Sequence, residues 1–292
     1  MPAPSTPHAV PVGPAPGGRG WRIGGWGLIA LLPLFLCAAY LVPFLGVANW
    51  SITLPEPGLG QYLRVATDPG VHSVIWRTIR ICAIVTALAV MLAYLLTYVW
   101  IHGNRTMRII AEICIIVPFW ISVLTRAFGW LVVLYNRGIL NTWLQDLGII
   151  SQPLTLVRND VGVVIGMVHF LVPFAVFPIA SVMRGLDGRV LMAARGMGAS
   201  RLRTFWEVFV PMTMPGIFGS AVIVFVFSLG FFVTPALLGG GRAIMIAEYV
   251  YVQIFQASNW GLAAALSVTM IVLVSALLLA LMRITRVEKL VR

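Results

Sequence analysis

Charge is what this 292-residue sequence has least of: 10% of its residues are Asp, Glu, Lys or Arg, and nine are acidic. A soluble domain carries about 25% charged residues. With 60% hydrophobic residues and a mean hydropathy of +0.97, the chain holds more apolar sequence than a water-facing globule can bury, so its solvent is largely lipid. Cysteine is scarce too. Cys37, Cys82 and Cys114 are odd in number, widely spaced and set in or beside apolar runs, which excludes a disulfide framework and a thiolate metal site. No G-x-x-x-x-G-K-[ST] occurs, so the chain does not bind ATP by a P-loop; Gly239-Gly240-Gly241 lacks the Lys and reads as a flexible loop. The histidines His8, His72, His102 and His169 are scattered. No His/Asp/Glu cluster, metal spacing or nucleophile-and-base pair appears, which argues against a membrane-embedded enzyme. No carboxylate lies in the middle of an apolar run, since Glu112 sits near an end. An ion-coupled secondary transporter, a class marked by intramembrane carboxylates and internal repeats, is therefore the weaker alternative.

What is present is a series of long apolar runs. A helix needs about 20 mainly apolar residues to cross a bilayer. Six runs qualify: Trp26 to Val47, Val74 to Ile101, Ile109 to Tyr135, Val161 to Met183, Val208 to Leu238 and Leu262 to Ile284. They do not alternate as barrel strands would, so an all-α membrane protein with six transmembrane helices is expected. Residues 1–22, rich in Pro, Ala and Gly, are expected to be a disordered tail, and 23–292 the transmembrane domain. The first run is longer than a signal-peptide core of roughly 7–15 residues and is read as an uncleaved span. The net charge of +11 does not point to nucleic acid, because the basic residues sit at the ends of apolar runs rather than in one patch. One side holds Arg19, Arg22, Arg105, Arg108, Arg184, Arg189, Arg195, Arg201, Arg203, Arg283, Arg286, Lys289 and Arg292. The other holds Arg64, Arg77, Arg80, Arg137, Arg158 and Arg242. The positive-inside rule makes the first side cytoplasmic and puts both termini there. Arg77 and Arg80, at the outer end of the second run, fit that orientation poorly.

The cytoplasmic loop 184–207 concentrates charge: Arg184, Asp187, Arg189, Arg195, Arg201, Arg203 and Glu207. Leu191, Ala194 and Gly198 recur at helical spacing, as do Leu202, Phe205 and Phe209. Gly196 and Gly198 interrupt the middle and Ser200 can cap a second short helix, so a helix–turn–helix is expected. On charge alone it could be a basic helix on anionic lipid. The residues carry more. Ala193, Ala194, Gly198, Ala199, Ser200, then Phe205, Val208, Pro211, then Pro215, Gly216, Ile217 closely resemble the EAA loop of binding-protein-dependent ABC importer permeases. The resemblance implies the type I importer permease fold. It also implies a second permease, an ATPase dimer carrying ATP and Mg, and a periplasmic binding protein as partners, in the bacterial inner membrane. On it, Met192, Ala193, Ala194, Arg195, Gly198, Ala199, Ser200 and Arg201 belong to the element that docks on the ATPase. Two family acids are missing, with Met192 where Glu is usual and Gly196 where Asp is usual. Arg195 and Arg201 are expected to carry the polar contacts instead.

The resemblance covers roughly Trp76 to Ile284. Ile116–Asn141 and Gly239–Ser267 look like the spermidine/putrescine branch, with a short helix expected over Ala243–Phe255. That branch implies a polyamine-like or related amino compound as cargo. Arg126 is the one basic residue well inside a run, about 17 residues and roughly 25 Å along the third from its inner end. It suits an anionic or zwitterionic solute, such as a phosphonate or opine, at least as well. Two readings stand for it, a pathway or outer-gate residue and a snorkelling arginine. Trp120, Trp130 and Tyr135 read as partners for cationic groups or as an interfacial belt, and His169 as a packing or a pathway residue.

Overall fold

The computed structural model describes residues 22–290, which form α-helices and connecting loops with no strand among the described residues. In chain order these are α1 Arg22–Thr53, α2 Gly60–Thr67, α3 Pro69–His102, α4 Arg105–Trp120, α5 Val123–Leu134 and α6 Ile139–Asp146. There follow α7 Asp160–Arg184, α8 Gly188–Gly196, α9 Arg201–Thr204, α10 Val210–Leu229, α11 Ile246–Phe255 and α12 Trp260–Leu290. The expected tail falls outside the described residues except for Arg22. The chain divides between Asn49 and Trp50 into two units. The described part of the first is helix throughout, and its stretch from Leu32 is apolar enough to cross a bilayer.

In the second unit α3, α7 and α10 pack on one another around Ile81, Val85, Met167, Leu171, Ile179 and Val224, all fully buried. Lipid tails are as apolar as these side chains, so close backbone approach and interhelical hydrogen bonds hold such helices together. Gly216 shows how close: a Cβ there would lie 3.1 Å from Ile179 Cα and from Pro178 O. One turn further, Ser220 Oγ donates to the Ala175 carbonyl at 2.7 Å, and the Tyr94 and Thr213 hydroxyls bond at 3.0 Å to tie α3 to α10.

At one end of this bundle the two arginines that fit the charge rule poorly are ion-paired. Arg80 pairs with Asp160, in the first turn of α7, and Arg77 Nε lies 3.8 Å from the same carboxylate. Arg77 also donates to the Arg242 carbonyl at 2.8 Å. Thr78 Oγ1 accepts from the Ile246 N–H at 2.9 Å and seats α11 against α3. A smaller apolar cluster of Val65, Val71, Ile246, Leu262 and Leu266 gathers α2, α11 and α12 there.

Two expected runs differ from what forms. The third is not one straight helix: the path bends by 111° between α4 and the α5–α6 segment. Pro118 withholds a backbone donor inside α4. Ile121 and Ser122 then take extended conformations (ψ 128° and 142°), and Ser122 becomes the residue preceding a new helix. The fifth ends at Leu229 rather than Leu238, because Gly230 breaks it and Pro235–Gly239 winds separately as a π-helical turn. Counting the bent pair as one, up to six spans result. The short helix expected over 243–255 forms as α11, three residues shorter at its start.

Candidate functional site

Three places hold the residues singled out by sequence, the α8–α9 element and two cavities. The first is the α8–α9 element. Asp187 caps α8 by accepting from the Arg189 N–H at 2.9 Å, and Ser200 caps α9 by accepting from the Arg203 N–H at 3.2 Å. Between them Gly198, at φ +92°, makes the turn in a conformation L side chains rarely adopt. The expected helix–turn–helix is thus built by its caps and its glycine. Ala194 turns inward and is buried, and Ala199 is half-buried. Met192, Ala193, Arg195, Gly198, Ser200 and Arg201 are exposed. So are large apolar side chains: Met192 (64%), Met197 (84%), Leu202 (70%) and Trp206 (61%). Arg203 pairs with Glu207 at 2.8 Å, whereas Arg195 and Arg201 form no ion pair among the described residues. This is more contiguous apolar surface than an exposed loop usually carries.

This element is tied to the bundle through rings. The π-helical turn Phe205–Phe209 follows α9 directly. Phe209, 4% exposed, meets Tyr98 at 5.7 Å, His102 at 5.5 Å and Phe205 at 5.6 Å between ring centroids. Tyr98 stacks on His102 at 4.8 Å. Beside them the Arg184 guanidinium lies 4.3 Å over the Trp100 ring and joins the end of α7 to the end of α3. The i, i+4 pair Phe205/Phe209 is visible in sequence; its partners on α3 are more than a hundred residues away and are not.

The second place is the break between α4 and α5. A cavity of about 350 Å³ opens there, and its lining includes Phe119, Trp120, Ser122, Arg126, Phe170 and Phe174. Arg126 does not use its sequence neighbours Trp130 and Tyr135 as ring partners. Its guanidinium lies 4.2 Å over Phe170 of α7. Trp130 instead donates from Nε1 to His169 Nδ1 at 3.0 Å, so that histidine is held by a ring, and both line a separate, apolar cavity of about 580 Å³. Of the four candidates, Arg126 and Trp120 share one cavity; Trp130 and His169 share another. Phe170 and Phe174, one turn apart and missed by sequence reasoning, form the wall. Phe174 touches Phe119 at 4.9 Å and Phe227 at 5.2 Å, and Phe170 touches Phe231 at 4.9 Å. Among the described residues no group of three or more His, Cys, Asp or Glu could hold a metal.

The family of binding-protein-dependent transport system inner membrane components matches residues 101–287. The spermidine/putrescine transport system permease protein PotB of Haemophilus influenzae is 31% identical over 211 residues, covering 72% of this chain and 74% of that protein. PotB of Escherichia coli is 32% identical over 228 residues, 78% of this chain and 82% of that protein. A bacterial ABC transporter involved in the import of the acidic polysaccharide alginate shares the fold, with a TM-score of 0.69 at 16% identity over 90% of this chain and 96% of that one. An amino acid ABC transporter superposes at a TM-score of 0.51 and 14% identity, over 76% of this chain and 97% of that one.

Proposed function

Since the chain belongs to the family of binding-protein-dependent transport system inner membrane components, we propose how this permease is arranged, what it carries and what moves it. It is a multi-pass inner membrane subunit of an ABC importer, non-catalytic itself, working with a binding protein and a separate ATPase. Both termini face the cytoplasm, as does the α8–α9 element, with the Arg80–Asp160 end of the bundle facing the periplasm. A second permease completes the pore, and lipid covers the remaining apolar faces. ATP and its Mg²⁺ are held by the ATPase subunits. The cargo is a small amino compound of polyamine or related type, the chemistry named for the relatives in the two PotB proteins.

The observation that carries this reading is the apolar face of α8–α9. Met192, Met197 and Leu202 stand exposed at the tip while Ala194 packs inward, so the loop offers a ridge to a groove in another protein. Where the EAA-loop resemblance implies acids, this chain presents a thioether and a glycine, and the contact is expected to be more apolar, with Arg195 and Arg201 at its edge. Cysteine placed at Met197 should cross-link to the ATPase subunit in membranes of the assembled complex. Charge reversal at both Arg195 and Arg201 should weaken ATPase retention. Uptake that persists without the ATPase subunit would instead support the ion-coupled reading.

A further inference from the structure

Arg126 is a cation set in an apolar run without an anion. Among the described residues it has no salt-bridge partner. Its Nε is buried and makes no hydrogen bond. The cavity it lines contains no Asp or Glu. A guanidinium carries five donors in a planar fork, suited to the two oxygens of a carboxylate, and a ring face satisfies none of them. One further feature of the cavity has the same sign. Ser122 makes no side-chain capping bond at the start of α5, so the first turn of that twelve-residue helix presents its amide end toward the same break. Helix amino termini favour negative charge. Around this positive corner stand the rings of Phe119, Trp120 and Phe174, with Trp120 86% exposed. Aromatic faces attract ammonium groups.

We propose that this cavity is a cargo subsite for a zwitterionic amino compound, with the cargo carboxylate paired to Arg126 and its ammonium against the Trp120 and Phe119 rings. The assignment rests on the amino-compound reading above and narrows it. A simple diamine would bring a second cation against an unpaired arginine in an apolar wall, where like charges repel more strongly than in water. An amino acid or similar zwitterion supplies the missing anion and keeps the amine.

The test uses the complete complex in nanodiscs, with both permeases and the ATPase, and measures direct binding in the absence of the binding protein so that the latter's selectivity does not enter. The probes are 5-aminopentanoate and 1,5-diaminopentane, which share a five-carbon chain and differ at one end. Wild type should retain the aminocarboxylate in preference to the diamine. R126M should weaken aminocarboxylate binding roughly 10- to 100-fold, the range for loss of a charge-assisted bidentate pair, with R126K intermediate. Preference for the diamine in wild type, or unchanged aminocarboxylate binding in a well-assembled R126M complex, overturns the assignment. Diamine binding alone leaves the amino-compound reading standing. If neither probe binds and neither is taken up with the binding protein present, both fall. A structure of the complex with Arg126 ion-paired to an acid of the second permease would also overturn it.

Discussion

If α8–α9 is a handle, the rings behind it are what make pulling on it move a membrane helix. Phe209→Ala is the sharpest perturbation of that joint. Phe209 is almost fully buried and meets three rings: Tyr98 and His102 on α3, and Phe205 beside the handle. Each such pair contributes about 0.5–1.5 kcal/mol beyond simple burial, so removing all three costs about 1.5–4.5 kcal/mol of attachment. At about 1.4 kcal/mol per tenfold, the rigid joint loses roughly one to three orders of magnitude in its equilibrium against a slack one. On the proposed docking the ATPase contact is kept, since Met197 and Leu202 are untouched. The expected result in proteoliposomes is therefore uncoupling: ATP hydrolysis near wild-type levels, with solute moved per ATP down by several-fold or more. Phe209→Leu, which keeps the bulk, should fall between. A monodisperse F209A complex with an unchanged ratio of transport to hydrolysis would refute the joint, and so would loss of ATPase binding in place of loss of coupling.

The outer ridge makes the complementary prediction: M197D and L202D together should release the ATPase from purified complexes while leaving the permease pair intact, read by co-purification. Gly216→Val should destabilise by about 1–3 kcal/mol, because its Cβ branch meets the backbone of α7 with no flexible neighbour to give way, and a lowered melting temperature in detergent checks it. Glu248 predicts a pH dependence. Its helix, at ten residues, is too short to cross a bilayer, and its side chain is 7% exposed with Oε2 unpartnered among the described residues. Burial pushes the Glu248 carboxyl above the usual carboxylate range, against a smaller opposing effect of a hydrogen bond from the Met245 backbone. The folded protein then binds more proton than the unfolded one. This stability is fully present below about pH 4.3, the unfolded value, and is lost as pH rises through the folded value. Glu248→Gln should flatten the fall in melting temperature toward neutral pH and be the more stable form at pH 8. Parallel slopes for the two proteins would contradict it.

The runs of lipid-soluble sequence were legible because their signal is local: length, composition and the residues at their ends. The α8–α9 turn was legible for the same reason, since Asp187, Gly198 and Ser200 act on neighbours two or three residues away. The break at Ile121–Ser122 was not. Prolines also lie inside α7, at Pro173 and Pro178, and α7 continues through them because helices packed around it hold its shape. One proline therefore does not distinguish a kink from a break, and the depth of roughly 25 Å assigned to Arg126 along a straight third span does not apply. The partners of Arg126 were hidden in the same way. Sequence offered Trp120, Trp130 and Tyr135, neighbours along the chain; Trp120 does line the same cavity, but the ring under the guanidinium is Phe170 from α7. Glu248 escaped notice because it lies outside any long run; its helix packs against α12 and α3, and that packing is not readable from the local sequence.

The handle and the cavity are linked by the same two helices. The ring joint around Phe209 opens directly into α10, whose twenty residues extend about 30 Å. Along that length α10 is fixed to α7 at Gly216 by close approach and at Ser220 by a hydrogen bond, two attachments that resist sliding. Near its far end Phe227 touches Phe174, and just beyond it Phe231 touches Phe170, the two rings that wall the Arg126 cavity. A displacement at α8–α9 that tilts α10 must either break these contacts or carry α7 with it. α7 holds the ring under the Arg126 guanidinium, while Arg126 itself stands on α5, across the 111° bend. Relative movement of α7 and α5 would therefore alter the cation's exposure to the cavity, placing the change in affinity for a bound anion where the structure is already discontinuous.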